Sequence, residues 1–145
     1  MSTVIWATLF FGAIVIFGWL EWEYDKHRLR KLAASRTRDS ICTFARSLDY
    51  RRLDTKVIRA AYEGLQLGFH GFLPNFPIRS SDRFWQDLRI DLDDLDEVVF
   101  TISKRSGRSL DGCESNAYYG KVETVADLIL FLCAQPKVGY SSKST

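Results

Sequence analysis

The stretch STVIWATLFFGAIVIFGWL, residues 2–20, contains no charged side chain. Val4, Ile5, Leu9, Phe10, Phe11, Ile14, Val15, Ile16, Phe17 and Leu20 are spread around every face of a helix, so the segment has no polar side to turn toward water. Nineteen residues rising about 1.5 Å each span roughly 28 Å, close to the hydrocarbon thickness of a bilayer. A helix also satisfies its own backbone groups inside lipid. Trp6 stands near one end and Trp19, Trp22 and Tyr24 near the other, where amphipathic rings favour the headgroup region. A cleaved signal peptide and a buried core helix are the competing readings. The first normally opens on a basic residue and closes on small residues; here no Lys or Arg precedes the apolar run, and Leu20 leads into Glu21, Trp22, Glu23 and Tyr24. The stretch therefore reads as a transmembrane anchor, with the lipid bilayer as partner of residues 2–20.

Outward from the span come Glu21, Glu23 and Asp25, then Lys26, Arg28, Arg30, Lys31, Arg36 and Arg38. Basic residues on the C-terminal flank alone predict, by the positive-inside rule, a single-pass membrane protein whose C-terminal domain is cytoplasmic. The expected division is 1–22 as anchor, 23–36 as a basic juxtamembrane linker, 37–135 as one small domain, and 136–145 as a disordered tail rich in Ser141, Ser142, Lys143 and Ser144.

Composition narrows what such a domain does. A formal net charge of +2 and the lack of dense Lys/Arg interleaved with aromatics argue against nucleic acid as a partner. Cys42, Cys113 and Cys133 are odd in number and far apart, which indicates neither a disulfide framework nor a zinc site and fits a reducing compartment. His27 and His70 have no Cys or carboxylate at ligand spacing, so no metal is expected. No nucleophile–base pair, phosphate-cradling loop or H-E-x-x-H element is visible, and the chain reads as non-enzymatic with no catalytic residue.

The soluble part is all-α in pattern. Ile41, Phe44 and Leu48 recur at turn spacing; after Asp54, read as an N-cap, Val57, Ile58, Ala61 and Leu65 form a second stripe. One broken helix or two helices satisfy this. Gly68, Gly71, Pro74 and Pro77 punctuate a long loop, Gln66 to Ser81, whose Phe69, Phe72, Phe76 and Ile78 are too apolar to lie free in water. Leu95, Val98, Val99 and Ile102 then predict a helix, and Thr124 with Asp127 reads as a capping box ahead of Val125, Leu128, Ile129 and Leu132. Three or four short helices with a long first loop make a small bundle.

Between Asp82 and Glu97, seven acids stand against Arg83 and Arg89. Some would cap a helix start and the rest solvate it; an acidic patch for a basic protein partner is the functional reading. Three motifs carry a resemblance to the acyl carrier protein family: Phe84-Trp85-Gln86-Asp87-Leu88, then Asp93-Asp94-Leu95-Asp96-Glu97-Val98, and finally Lys121-Val122-Glu123-Thr124-Val125-Ala126-Asp127-Leu128-Ile129. The first two match that family's acidic D-L-x-x-D-S-L-D segment, which follows a long loop and opens its second helix, and the third its K-V-x-T-V-x-D-L final helix, over roughly residues 55–134. The resemblance implies the family's helical bundle. It also implies a role for the serine of D-S-L, whose hydroxyl carries a 4′-phosphopantetheine arm. Asp94 occupies that position, and a carboxylate cannot form the serine phosphodiester, so no cofactor is expected there. Ser109-Leu110-Asp111 is a superficial second match, and Ser103 falls inside the helix, remote from its acidic start.

The expected function is that of a membrane-anchored, acyl-carrier-like domain without phosphopantetheine. It would act as a protein-interaction module through Asp91, Asp93, Asp94, Asp96 and Glu97, which meet the basic surface of a partner. The alternative is a working acyl carrier of lipid or fatty-acid metabolism, armed on an unexpected serine.

Overall fold

The computed structural model describes residues 2–71 and 73–139, with side chains described from Trp6 onward. Phe72 and Tyr140–Thr145 lie outside the described residues, and so do the expectations made for Phe72 and for the serines of the tail; the side chains of Val4 and Ile5 are likewise outside them. The chain divides into two compact units, residues 1–35 and 36–145.

The first unit is one helix, α1 (Ser2–Ser35). It is long and apolar enough to cross a membrane, and none of its apolar window is buried against protein. Trp6, Phe10, Phe11, Val15, Phe17 and Trp19 are all exposed. The segment expected as a linker, 23–36, is helical as far as Ser35, with Lys26 paired to Glu23 one turn away (2.5 Å). Good helix formers and i,i+3 pairing carry the helix past the apolar stretch.

The second unit is helical, with no strand among the described residues. It contains α2 (Ile41–Ser47), α3 (Thr55–Phe69), a π-turn (Phe84–Leu88), α4 (Leu92–Ser106), a short 3-10 turn (Cys113–Ser115) and α5 (Val125–Ala134). The pattern over 36–66 resolves as two helices. Asp54 caps the second of them, its carboxylate accepting from the Lys56 amide at 2.9 Å. Helix α3 is the centre: it packs on α2, α4 and α5. Val57, Ile58, Ala61 and Leu65 are all buried, as the stripe requires, and so are Val125, Leu128, Ile129 and Leu132 of α5. Each such side chain contributes about 1.5–3 kcal/mol of burial.

The contact between α3 and α4 depends on Gly64. A methyl group there would come within 2.6 Å of Cγ1 of Ile102, which is fully buried. Gly64→Ala would gain up to about 1 kcal/mol of helix propensity but must displace a packed core side chain at about 1–3 kcal/mol. A net loss of about 1–2 kcal/mol is expected, read as a lower urea midpoint with unchanged slope.

The long loop is shorter than its glycines and prolines suggest, because α3 continues through Gly68 to Phe69. Phe69 stacks on Phe76 (centroids 4.4 Å apart), Ile78 is buried, and the Gln66 amide donates to the Phe76 carbonyl. Its last residues serve α5: the Val125 and Ala126 amides donate to the carbonyls of Asp82 (3.0 Å) and Ser80 (2.8 Å). Two amides at a helix start, which have no intrahelical partner, are thereby satisfied. Pro136 and Val138, expected to begin a disordered tail, are held by backbone bonds from Ser109 to Pro136 (2.9 Å) and from Val138 to Gly107 (2.9 Å). Gly107 makes this possible by closing α4 in the left-handed region at φ 71°.

Candidate functional site

Helix α4 begins with Asp91 as N-cap, one carboxylate oxygen accepting from the Asp94 amide at 2.9 Å. Asp93 and Asp94 occupy the first turn, where negative charge complements the positive end of the helix dipole. Asp91, Asp93, Asp94, Asp96 and Glu97 are all exposed, whereas Leu95 turns inward. The geometry thus brings together the five acids named from sequence. One oxygen of Asp91 is committed to the cap.

Two other acids of the run point elsewhere. Asp82 is only 2% exposed and is gripped by Arg36 through two bonds of 2.8 and 2.7 Å, while the Arg79 amide donates to the same carboxylate at 2.8 Å. It is a structural ion pair, and Arg36, grouped by sequence with the juxtamembrane bases, belongs to the second unit. Asp87 accepts from the Arg83 amide (2.9 Å) and so closes the π-turn on itself. The acidic surface is therefore narrower than the sequence count implies.

Beside the acids lies a feature that the sequence did not disclose. The π-turn places Phe84 and Leu88 in the core, one turn apart, and leaves Trp85 and Gln86 outside. It is held by the Leu88 amide to Arg83 (3.1 Å), by Ile90 to Phe84 (2.9 Å), and by Phe84 to Glu123 (3.1 Å), with Arg83 bridged antiparallel to Thr124. The result is an open groove of about 700 Å³ between the π-turn, the start of α4 and residues 122–123. Phe84, Ile90, Leu95 and Val122 supply apolar lining, and Asp91, Asp93 and Glu123 supply charge. Trp85 is 58% exposed and Leu92 80% exposed on the same groove. The only sequence signal for it was an aromatic residue inside an acidic run.

The remaining candidates are placed as follows. Ser103 is buried and donates to the Phe100 carbonyl (2.8 Å); the Ser109 hydroxyl donates to Asp111 (2.7 Å). Thr124 and Asp127 form the expected capping box, with the Asp127 amide to the Thr124 hydroxyl at 3.2 Å and the Thr124 amide to the Asp127 carboxylate at 2.9 Å. Burial pushes the Cys133 thiol up, outweighing its bond with the Asp54 backbone and the nearby Arg108 charge, which is the opposite of what a nucleophilic thiolate needs. No group of three or more His, Cys, Asp or Glu side chains suited to a metal occurs among the described residues.

Compared with protein-family models, curated proteins and solved structures, the chain finds no match.

Proposed function

We propose that the chain is a membrane-tethered, acyl-carrier-like interaction module whose α4 start docks a basic surface of a partner protein. The observation that carries this reading is the exposure of all five acids, Asp91, Asp93, Asp94, Asp96 and Glu97, on one helix start next to two exposed large apolar side chains. Charge of one sign steers encounter and fixes orientation; adjacent apolar area supplies affinity. The resemblance to acyl carrier proteins supports the same surface, because the acids surround the position where that family bears its serine. With Asp94 there, and with Ser103 buried, the domain works without an arm.

The test is crosslinking in membranes. A photoreactive residue at the exposed Gln86 position should yield a crosslinked partner, and Asp93→Asn, Asp94→Asn and Asp96→Asn together should abolish the product and its salt dependence. An undiminished product from the triple variant would sink the reading. Intact-mass measurement after co-expression with a phosphopantetheinyl transferase should show no added arm; a mass gain on Ser109 or another serine would favour the working carrier.

Tethering concentrates this surface for partners held at the same membrane. The basic residues that follow the apolar stretch of α1 support, by the positive-inside rule, a cytoplasmic side for the second unit. In intact cells a membrane-impermeant maleimide should leave the exposed Cys42 unlabelled, and permeabilisation should allow full labelling. Labelling before permeabilisation would reverse the orientation. The chain should also remain in the membrane pellet at alkaline pH with residues 2–20 intact, as mass spectrometry of its N-terminus would show.

A further inference from the structure

The groove beside the acids has its own chemistry. Its lining includes three carboxylates, Asp91, Asp93 and Glu123, and no Lys, Arg or His. Its apolar part is unusually open to water. Leu92 is at the first position of α4, where it neither caps the helix nor packs beneath it, and at 80% exposure it is among the least covered large side chains outside α1. Trp85 projects from the π-turn, with the Arg89 guanidinium 5.7 Å from its ring centroid. Scattered single apolar residues are ordinary on a surface; two large ones facing the same groove over Phe84, Ile90, Leu95 and Val122 form a continuous patch.

From this we infer that the groove is a pocket for a linear peptide segment presenting one or two bulky aliphatic side chains flanked by Lys or Arg. The aliphatic group would lie between Trp85 and Leu92, and the flanking cations would meet Asp91, Asp93 and Glu123. Three carboxylates outweigh the Arg89 cation at the Trp85 ring, so charge complementarity selects this occupant: an acidic segment would meet net repulsion, and an uncharged apolar one would leave the carboxylates unanswered. The inference rests on the proposed docking function and adds to it an anchor residue, and therefore a sequence preference that a purely charged surface lacks.

Trp85 supplies the readout, because the other three tryptophans, Trp6, Trp19 and Trp22, all lie in α1. With those three replaced by Phe and the full chain held in zwitterionic nanodiscs, the probes are the peptides Lys-Arg-Leu-Leu-Arg-Lys and Lys-Arg-Ser-Ser-Arg-Lys. At low salt the leucine peptide should shift Trp85 emission to the blue and bind at least about tenfold more tightly than the serine peptide, the factor expected for burying one aliphatic side chain. Leu92→Ser should bring the two affinities together while leaving the weak binding of the serine peptide in place. Equal binding of both peptides to the unsubstituted groove would overturn the anchor and leave charge-based docking standing. Binding of neither would overturn both. A blue shift that grows with protein concentration, without peptide, would assign the groove to a second copy of the chain and overturn the peptide assignment.

Discussion

Replacing Asp82 by alanine is expected to destabilise the second unit by about 3–5 kcal/mol, the usual cost of leaving a buried charge without its partner. The side chain of Arg36 is 9% exposed, and its guanidinium makes both of its carboxylate bonds to Asp82, with a third, longer bond to the Pro77 carbonyl (3.3 Å). The same carboxylate holds the Arg79 amide, and the Asp82 carbonyl holds the first amide of α5. Loss of the side chain would therefore strand Arg36 and loosen the loop that caps α5. Urea unfolding followed by Trp85 emission, in the chain whose other tryptophans are Phe, measures the loss. The combined variant Arg36→Met and Asp82→Leu should recover much of it, since an apolar pair leaves no charge uncompensated. A single Asp82→Ala variant as stable as the parent would show that the pair is not holding the loop.

Arg108→Ala is expected to cost about 2–4 kcal/mol. Its guanidinium joins three elements: it donates to Asp54, the N-cap of α3, at 2.6 Å, and to the Gln135 and Cys133 carbonyls at the end of α5, at 2.7 and 3.2 Å. Lys137 adds a second, more distant cation to Asp54 at 3.7 Å. Burial opposes the Asp54 charge, but the Lys56 amide, the bond and charge of Arg108 and the charge of Lys137 outweigh it and hold the carboxyl below its ordinary value of 3.8. A depressed folded value means that the unfolded chain takes up the proton first as pH falls. The contribution is thus complete above about pH 4 to 5 and is lost as pH drops through the unfolded value and then the folded one. Asp54→Asn should lower the urea midpoint at pH 7 and lose less than the parent on going to pH 3. Equal losses over that interval would show that Asp54 is not the group responsible.

Periodicity alone placed α3, α4 and α5, because each packs one stripe against a common core and the apolar spacing records that stripe. The caps of α3 and α5 were legible too, since Asp54 and the Thr124–Asp127 pair act within a turn of their own position; for α4 the acidic run offered several candidates, of which Asp91 is the cap. The length and uniform apolarity of residues 2–20 likewise require nothing beyond the bilayer's thickness to be read. The five exposed acids of α4 were named for the same local reason. What sequence could not supply was the fate of residues whose partners are distant in the chain. Asp82 looked like part of an acidic patch and Arg36 like a topology signal, yet 46 positions of separation close into one buried pair. Asp54 and Arg108 are joined across 54 positions. The π-turn that turns Trp85 outward is tied by the Phe84 amide to the Glu123 carbonyl, and the groove exists only because that turn, the start of α4 and residues 122–123 converge. Local pattern determines which face of an element is apolar and how it starts; only tertiary packing decides which charges are withdrawn from the surface and which apolar side chains are left upon it.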